Sequence, residues 1–189
     1  MKRIQLKKSF ISSPLAFLCN LALVYVAYGI CRLAYLLENW AVLSEGFDTL
    51  SFTEALKGCW MFDTSAILYT NAFYAILMLL PLHWKERDGW QTVAKWVYVV
   101  MNAICLVANL ADAVYFQYTG LRTTSSVFQE FSNEGNIGDV MGVEVLRHWY
   151  LVLLGILLIA GLIICYVKPK GHFKVRMLKD YAIYYVINR

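Results

Sequence analysis

The sequence predicts an all-α fold: a polytopic membrane helical bundle with four transmembrane helices and an outer amphipathic helix. Of its 189 residues, 60% are hydrophobic and only 16% are charged, whereas soluble domains have about 45–50% and about 25%. In addition, four apolar stretches are each about as long as, or longer than, the roughly 20 residues that a transmembrane helix needs. Helices are expected because an open strand would leave backbone groups unpaired in hydrocarbon.

The apolar stretches organise the chain into a single transmembrane domain, residues 1–189. They cover residues 14–37, 65–84, 93–116 and 149–167. Two outer segments, 38–64 and 117–148, lie between them, and a basic tail, 168–189, follows the last stretch. The first stretch is not expected to be a cleaved signal peptide, because its apolar core is too long and no small-residue cleavage site follows it.

The distribution of Lys and Arg predicts the orientation. An even number of spans places both ends of the chain on one side, and thirteen of the 17 basic residues fall on that side. They are Lys2, Arg3, Lys7, Lys8, Lys85, Arg87, Lys95, Lys168, Lys170, Lys174, Arg176, Lys179 and Arg189. Cytoplasmic loops carry the excess of basic residues, so both ends are predicted to be cytoplasmic.

The first outer segment is predicted to contain the amphipathic helix. Residues 51–54 read Ser-Phe-Thr-Glu, the spacing of a capping box at a helix start. Ala55 and Leu56 follow as the first apolar residues. We expect this helix to lie along the outer membrane surface.

The second outer segment, 117–148, is long for a connection, and long loops are uncommon unless they are functional. Residues 123–131 have a composition that starts a helix, and the glycines of 135–142 end it. Glu130 and Glu134 are four residues apart and share a face if that piece is helical. They are either solvated charges or contacts to a partner domain.

Four polar residues fall near the outer ends of predicted spans. Arg32 lies within the first span, Asp63 precedes the second and Asp112 lies near the end of the third. Asn109 is three residues before Asp112, on the same helix face. From these positions we expect the three charges to lie at a similar depth, and charged residues in spans are costly and usually pair or line a cavity.

Two interpretations of this cluster stay open. In the structural one, Arg32 pairs with Asp63 or Asp112, while asparagines such as Asn20 and Asn102 bond between helices and fix their packing. In the functional one, the cluster is a polar floor beneath an outer cavity that holds a lipid headgroup.

The functional interpretation assigns phosphate contacts. Arg32 and Arg122 would bind the headgroup, since a guanidinium suits bidentate phosphate binding. Thr123 and Thr124 directly follow Arg122, and Asp63, Asn109 and Asp112 would hold the arginines in place.

Catalytic, metal and nucleic-acid sites are not predicted within the chain. The sequence contains no Walker loop, HExxH, GxSxG or GxGxxG motif and no CxxC pair. Its three histidines fall on two sides of the predicted membrane, so they cannot cluster. The basic residues face the inner membrane surface, where anionic lipids satisfy them, and nucleic acid is therefore not implied.

Two stretches, residues 58–81 and 109–131, resemble the N-terminal membrane domain of the lipoteichoic acid synthase-like sulfatases. These are phosphoglycerol or phosphoethanolamine transferases of the alkaline phosphatase superfamily. The residues that carry the likeness are Phe62, Asp63, Tyr69, Asn71, Pro81, Asp112, Tyr115, Phe116, Arg122, Thr123 and Thr124.

The resemblance implies a protein of the bacterial cytoplasmic membrane with five spans and a large extracytoplasmic catalytic domain. That domain holds the threonine nucleophile and a divalent metal, so no catalytic residue or cofactor is assigned to this chain. Residues 180–189 resemble the start of a fifth span, and we expect the chain to be truncated there.

The implied role is to anchor the protein and present a lipid headgroup. Its partners would be membrane phospholipids and the missing catalytic domain, which Glu130 and Glu134 would help to dock. The alternatives are a stand-alone tetraspan scaffold or partner subunit and, less favoured, a small transporter. Transporter sites lie at mid-membrane on broken helices, whereas the charged residues here cluster near one face.

Overall fold

The computed structural model describes residues 13–44, 49–80, 88–119 and 143–169, and the regular structure in these ranges is entirely helical. The all-α prediction is therefore confirmed for them. The helices are α1 (Ser13–Glu38), α2 (Trp40–Ser44), α3 (Thr49–Thr70), α4 (Ala72–Leu79), α5 (Asp88–Thr119) and α6 (Trp149–Ile164). A short helical segment, 143–147, precedes α6.

The prediction of four transmembrane helices is wrong. In the described ranges, two helices are long and apolar enough to cross a membrane, Ser13–Glu38 and Asp88–Gln117. The second predicted span is interrupted at Asn71, after which α4 has only 8 residues. The fourth, α6, has 16 residues, or about 24 Å at the helical rise, against a hydrocarbon core of about 30 Å.

The prediction of a separate amphipathic helix is also wrong. Residues 49–70 form the single helix α3, which joins the expected surface helix to the start of the second apolar stretch. The helix begins at Thr49, so the capping-box sequence at 51–54 lies inside it. No proline interrupts the chain between Thr49 and Thr70, and Gly58 alone does not break a helix.

Helices α1 and α5 run in the same direction and form the centre of the bundle. Near their starts, the Tyr98 hydroxyl donates to the carbonyl of Asn20 at 3.0 Å. Just after α1 ends, the Asn39 amide donates to the carbonyl of Ala113 at 3.0 Å. We call these two levels the Tyr166 end, which contains Asn20, Tyr98 and Tyr166, and the Asn39 end, which contains Asn39 and Ala113.

The other helices run in the opposite direction. Helix α3 reaches Arg32 of α1 through Asp63, and α4 reaches Asn20 through Tyr74. Helix α6 packs against α5 at Gly155, and the chain that follows α6 reaches the Tyr166 end. The starts of α1 and α5 and the ends of α4 and α6 therefore all lie at the Tyr166 end.

The distribution of polar and apolar residues is the reverse of that in a soluble domain. Eight polar residues are buried in the described ranges: Ser13, Asn20, Asn39, Asn71, Gln91, Asn102, Asp112 and His148. Many large apolar side chains point outward instead, among them Leu37 (77% exposed), Phe62 (72%), Leu146 (76%) and Ile164 (80%). Single exposed apolar residues are ordinary, but an apolar surface on every long helix suits an apolar surrounding.

Candidate functional site

Arg32 and Asp63 form a bidentate ion pair between α1 and α3. Arg32 Nε donates to Asp63 Oδ2 at 3.2 Å, and Arg32 Nη2 donates to Asp63 Oδ1. The side chains are 13% and 18% exposed. The contact that the structural interpretation predicts is thus present, and it occupies one edge of the guanidinium that the functional interpretation assigns to phosphate.

Asp112 and Asn109 lie on α5, as predicted, but in different surroundings. Asp112 is buried, and the adjacent Ala113 carbonyl accepts the hydrogen bond from Asn39. Asn39 is seven residues beyond Arg32, or about 10 Å along a helix, so Asp112 lies nearer the Asn39 end than the ion pair does. The Asn109 amide donates to the Cys105 carbonyl of its own helix at 3.0 Å.

The other predicted site residues lie outside the described residues. They are Arg122, Thr123, Thr124, Glu130 and Glu134. The helix predicted for 123–131 and nearly all of the basic tail also lie there. Their assigned roles therefore stay predictions.

A reciprocal pair of asparagines joins α5 to the break between α3 and α4. Asn71 Nδ2 donates to Asn102 Oδ1 at 3.1 Å, and Asn102 Nδ2 donates to Asn71 Oδ1 at 2.8 Å. The remaining amide hydrogens go to the carbonyls of Ile67 and Tyr98 on their own helices. Both side chains are at most 2% exposed, so the pair is closed to water and uses every amide hydrogen.

The Tyr166 end is held together by Asn20. Its Nδ2 donates to the Tyr74 hydroxyl at 2.7 Å and to the Val167 carbonyl at 3.0 Å, while its Oδ1 accepts from the Val167 N–H at 2.8 Å. The Tyr166 hydroxyl lies 3.4 Å from that of Tyr74, and burial raises the pKa of Tyr166. One amide thus ties α1, α4 and the chain that follows α6 together.

The Asn39 end contains more polar contacts, but its described residues do not assemble a metal centre. The Gln117 amide donates to the carboxylate of Glu38 at 3.0 Å, and His148 Nδ1 lies 3.3 Å from a carboxylate oxygen of Glu144. Asn39 Oδ1 is buried, with no hydrogen-bond partner in the described ranges. No group of three or more His, Cys, Asp or Glu residues there is placed to hold a metal ion.

Sequence reasoning anticipates some of these residues and misses others. It expects Asn20 and Asn102 to bond between helices, and both do. It does not pair Asn71 with Asn102, although an asparagine inside an apolar stretch was a usable signal of a buried polar contact. Asn39 was missed because it follows the predicted end of the first span.

In comparisons with known proteins, no family model, no curated protein and no solved structure matches the chain. The resemblance to the lipoteichoic acid synthase-like sulfatases therefore stays a prediction.

Proposed function

We propose that this chain is a membrane-embedded helical module that anchors a partner at the membrane surface. The observation that supports it most is the reversed distribution of polarity, with buried amides and an ion pair inside and apolar side chains outside. In water, exposed apolar area is unfavourable at about 25 cal/mol per Å². In a bilayer that cost disappears, and hydrogen bonds between helices help to hold the bundle together.

Helices α1 and α5 are the proposed membrane-crossing elements. Their apolar segments have 26 and 30 residues, or about 39 and 45 Å at the helical rise. Both lengths exceed the hydrocarbon core of about 30 Å. Two apolar helices of this length indicate a membrane protein.

An anchoring role is favoured because several buried polar side chains bond other helices and not a ligand. Asn20 connects three elements, the Asn71–Asn102 pair satisfies itself, and Arg32 is paired with Asp63. Each contact fixes one helix against another. The bundle is therefore built to hold its helices in place.

The sulfatase-like resemblance implies which partner this anchor would hold. It would be an extracytoplasmic phosphotransferase domain, with Arg122, Thr123 and Thr124 presenting the lipid headgroup. In vitro lipid transfer by a protein that contains that domain tests this part. Arg122→Ala is expected to reduce transfer and phospholipid binding, and unchanged values for both would exclude the headgroup role.

A small transporter is the second candidate, and the buried Asn71–Asn102 pair favours it. Transporter sites lie near the middle of the membrane, and this pair lies between the Arg32–Asp63 level and the Tyr166 end. Uptake of a labelled solute into liposomes that contain the chain would support this candidate.

The membrane proposal is tested by one lysine placed on the outward surface. The Ile104 side chain is 61% exposed on α5. In lipid, Ile104→Lys is expected to cost roughly 2.5–3.5 kcal/mol and to reduce the fraction of chain that resists alkaline carbonate extraction from membranes. In water the same change would be harmless or would improve solubility.

Thr92→Lys is the matched control, because Thr92 is exposed near the start of the same helix. It is expected to leave membrane retention unchanged. Recovery of the unmodified chain in the soluble fraction would refute the membrane proposal.

A further inference from the structure

Basic residues are concentrated in three stretches of the sequence. Residues 1–12, 81–98 and 166–189 hold thirteen of the 17 basic residues and three of the 13 acidic ones, a net charge of +10. The rest of the chain holds four basic and ten acidic residues, a net charge of −6. Of the thirteen, Lys95 and Lys168 lie among the described residues, both toward the Tyr166 end.

Asn20 fixes the place where the chain leaves the bundle at the Tyr166 end. Helix α6 ends at Ile164, and residues 166–169 continue without helical structure. The Asn20 side chain bonds both the N–H and the carbonyl of Val167, at 2.8 and 3.0 Å. Because the backbone is held on both of its polar groups, the next residue, Lys168, has a defined position, and it is exposed.

A second lysine lies beside the same segment. Lys95 Nζ on α5 is 5.7 Å from the centre of the Tyr166 ring, within the range of a cation–π contact. Lys95 and Lys168 therefore flank Tyr166 from two elements. Among the described residues neither lysine forms an ion pair with a carboxylate, so neither charge is neutralised within that part of the chain.

We propose that Lys95 and Lys168, held beside the buried Tyr166 ring, form a surface that binds the headgroups of anionic phospholipids. The inference rests on the proposed membrane embedding, which places this end at a lipid–water interface. Each Lys or Arg near an anionic leaflet strengthens binding roughly fivefold. A lipid surface is favoured over a soluble anion because the outward faces of α1, α5 and α6 that lead to this end are apolar.

The experiment compares two lipids on the full chain in detergent micelles. Native mass spectrometry counts the molecules of phosphatidylglycerol or phosphatidylcholine that the chain retains. We expect preferential retention of phosphatidylglycerol, weakened at high salt because screening reduces exposed charge interactions. Lys95→Gln combined with Lys168→Gln is expected to lower affinity for phosphatidylglycerol by at least about tenfold.

The matched control removes two basic residues from the opposite end. Lys57→Gln with Arg147→Gln changes the net charge equally, at exposed positions toward the Asn39 end, and is expected to leave phosphatidylglycerol retention unchanged. Equal loss in the two double variants would overturn the proposal, since net charge alone would then explain binding. Asn20→Leu keeps the net charge and is expected to weaken retention by releasing Val167.

Two further results would overturn the inference. One is equal retention of phosphatidylglycerol and phosphatidylcholine. The other is displacement of phosphatidylglycerol by equimolar inorganic phosphate or duplex DNA, which would indicate a general anion or nucleic-acid surface. If the chain inserts into membranes but shows no lipid preference, this inference fails while the proposed function stands; if it does not insert, the proposed function fails.

Discussion

At the scale of single residues, buried amides supply much of the specific contact between helices. Asn20 and the Asn71–Asn102 pair connect α1, α3, α4 and α5 through short hydrogen bonds. A buried amide that loses its hydrogen-bond partner is left unsatisfied. This destabilises the fold by about 1–3 kcal/mol, because the amide was removed from water or polar neighbours without compensation. Leucine at both positions of a pair avoids that cost, because neither side chain then has a polar group to satisfy.

The asparagine pair should therefore show strong coupling. Asn71→Leu is expected to lower the free energy of unfolding by about 1–3 kcal/mol, because Asn102 loses its partner. The double variant with Asn102→Leu should cost less than the sum of the single variants. Unfolding by denaturing detergent in mixed micelles measures all of these values.

Asn109→Leu is the control, since the Asn109 amide bonds a carbonyl of its own helix. Its expected cost is below about 1 kcal/mol, because no side chain on another helix loses its partner. Additive costs for Asn71→Leu and Asn102→Leu would contradict the importance of the pair.

The Arg32–Asp63 ion pair makes a different prediction. Asp63→Ala leaves a largely buried guanidinium without its counter-ion, and removing one member of a buried pair costs about 3–5 kcal/mol. We expect the lower part of that range, because the side chains are 13% and 18% exposed. Arg32→Met with Asp63→Leu should restore most of the lost stability, because replacing both charges is often neutral.

The same double variant separates the two interpretations of Arg32. If it folds stably and phospholipid binding is unchanged, the pair is structural. Loss of lipid binding in a stably folded double variant would instead support a headgroup contact. Glu54→Gln with Lys57→Gln, at exposed positions of α3, is the control, because it also removes one charge of each sign.

The sequence predicts the contacts of the charged residues in the polar cluster better than those of the asparagines. A buried charge needs a counter-ion, so Arg32 and Asp63 predict each other once their depths are known. Asparagine is tolerated in many places, and its partner depends on the register of two helices. That register comes from packing along the whole bundle, which is why Asn71 and Asn102 were not paired in advance.

At the scale of the helices, apolar composition predicts where a helix lies in the sequence better than it predicts whether that helix is uninterrupted. The predicted span 14–37 agrees with α1, and 93–116 lies within α5. Composition does not reveal that the regular helix is interrupted at Asn71 or that α6 ends at Ile164. A contact between elements lies next to each of these points, the Asn71–Asn102 pair and the Asn20–Val167 pair respectively.

The Asn71–Asn102 pair also changes an argument about function. The charged residues suggested that polar groups collect near one face, which made a transporter less favoured. The structure adds a buried polar pair between the Arg32–Asp63 level and the Tyr166 end. Solute uptake is therefore a necessary comparison for any activity assigned to this bundle.

Close packing of α5 and α6 depends on a glycine. A Cβ at Gly155 would lie 3.1 Å from Leu110 Cδ1, which is tighter than ordinary van der Waals contact. Gly155→Val is expected to lower the free energy of unfolding by about 1–3 kcal/mol through overpacking. The measurement is again unfolding by denaturing detergent.

Gly161→Val on the same helix is the control, because a Cβ there meets no atom within 4 Å. Both variants carry the same penalty for a β-branched side chain in a helix, so their difference reports packing against Leu110. Equal costs at the two glycines would show that α5 and α6 tolerate a wider separation.

At the scale of the whole molecule, polarity varies in two directions. Across the bundle, polar groups lie inside and apolar groups outside, which suits a lipid surrounding. Along the sequence, the stretches 1–12, 81–98 and 166–189 carry a net charge of +10, and the rest of the chain carries −6. The first pattern favours insertion, and the second favours one orientation, with the basic end toward the cytoplasm.

Orientation can be read from single cysteines in a background that lacks the native ones. Thr92→Cys places an exposed thiol near the start of α5, toward the Tyr166 end, whereas Ser44→Cys places one beyond the end of α1, toward the Asn39 end. A membrane-impermeant maleimide should label Thr92→Cys from the cytoplasmic side only and Ser44→Cys from the opposite side only. The Asn20–Val167 bonds require that Lys168 remain near the start of α1, so labelling of Lys168→Cys and Thr92→Cys from different sides would contradict the fold itself. If Thr92→Cys and Ser44→Cys exchange sides, the fold stands and the orientation predicted from charge is wrong.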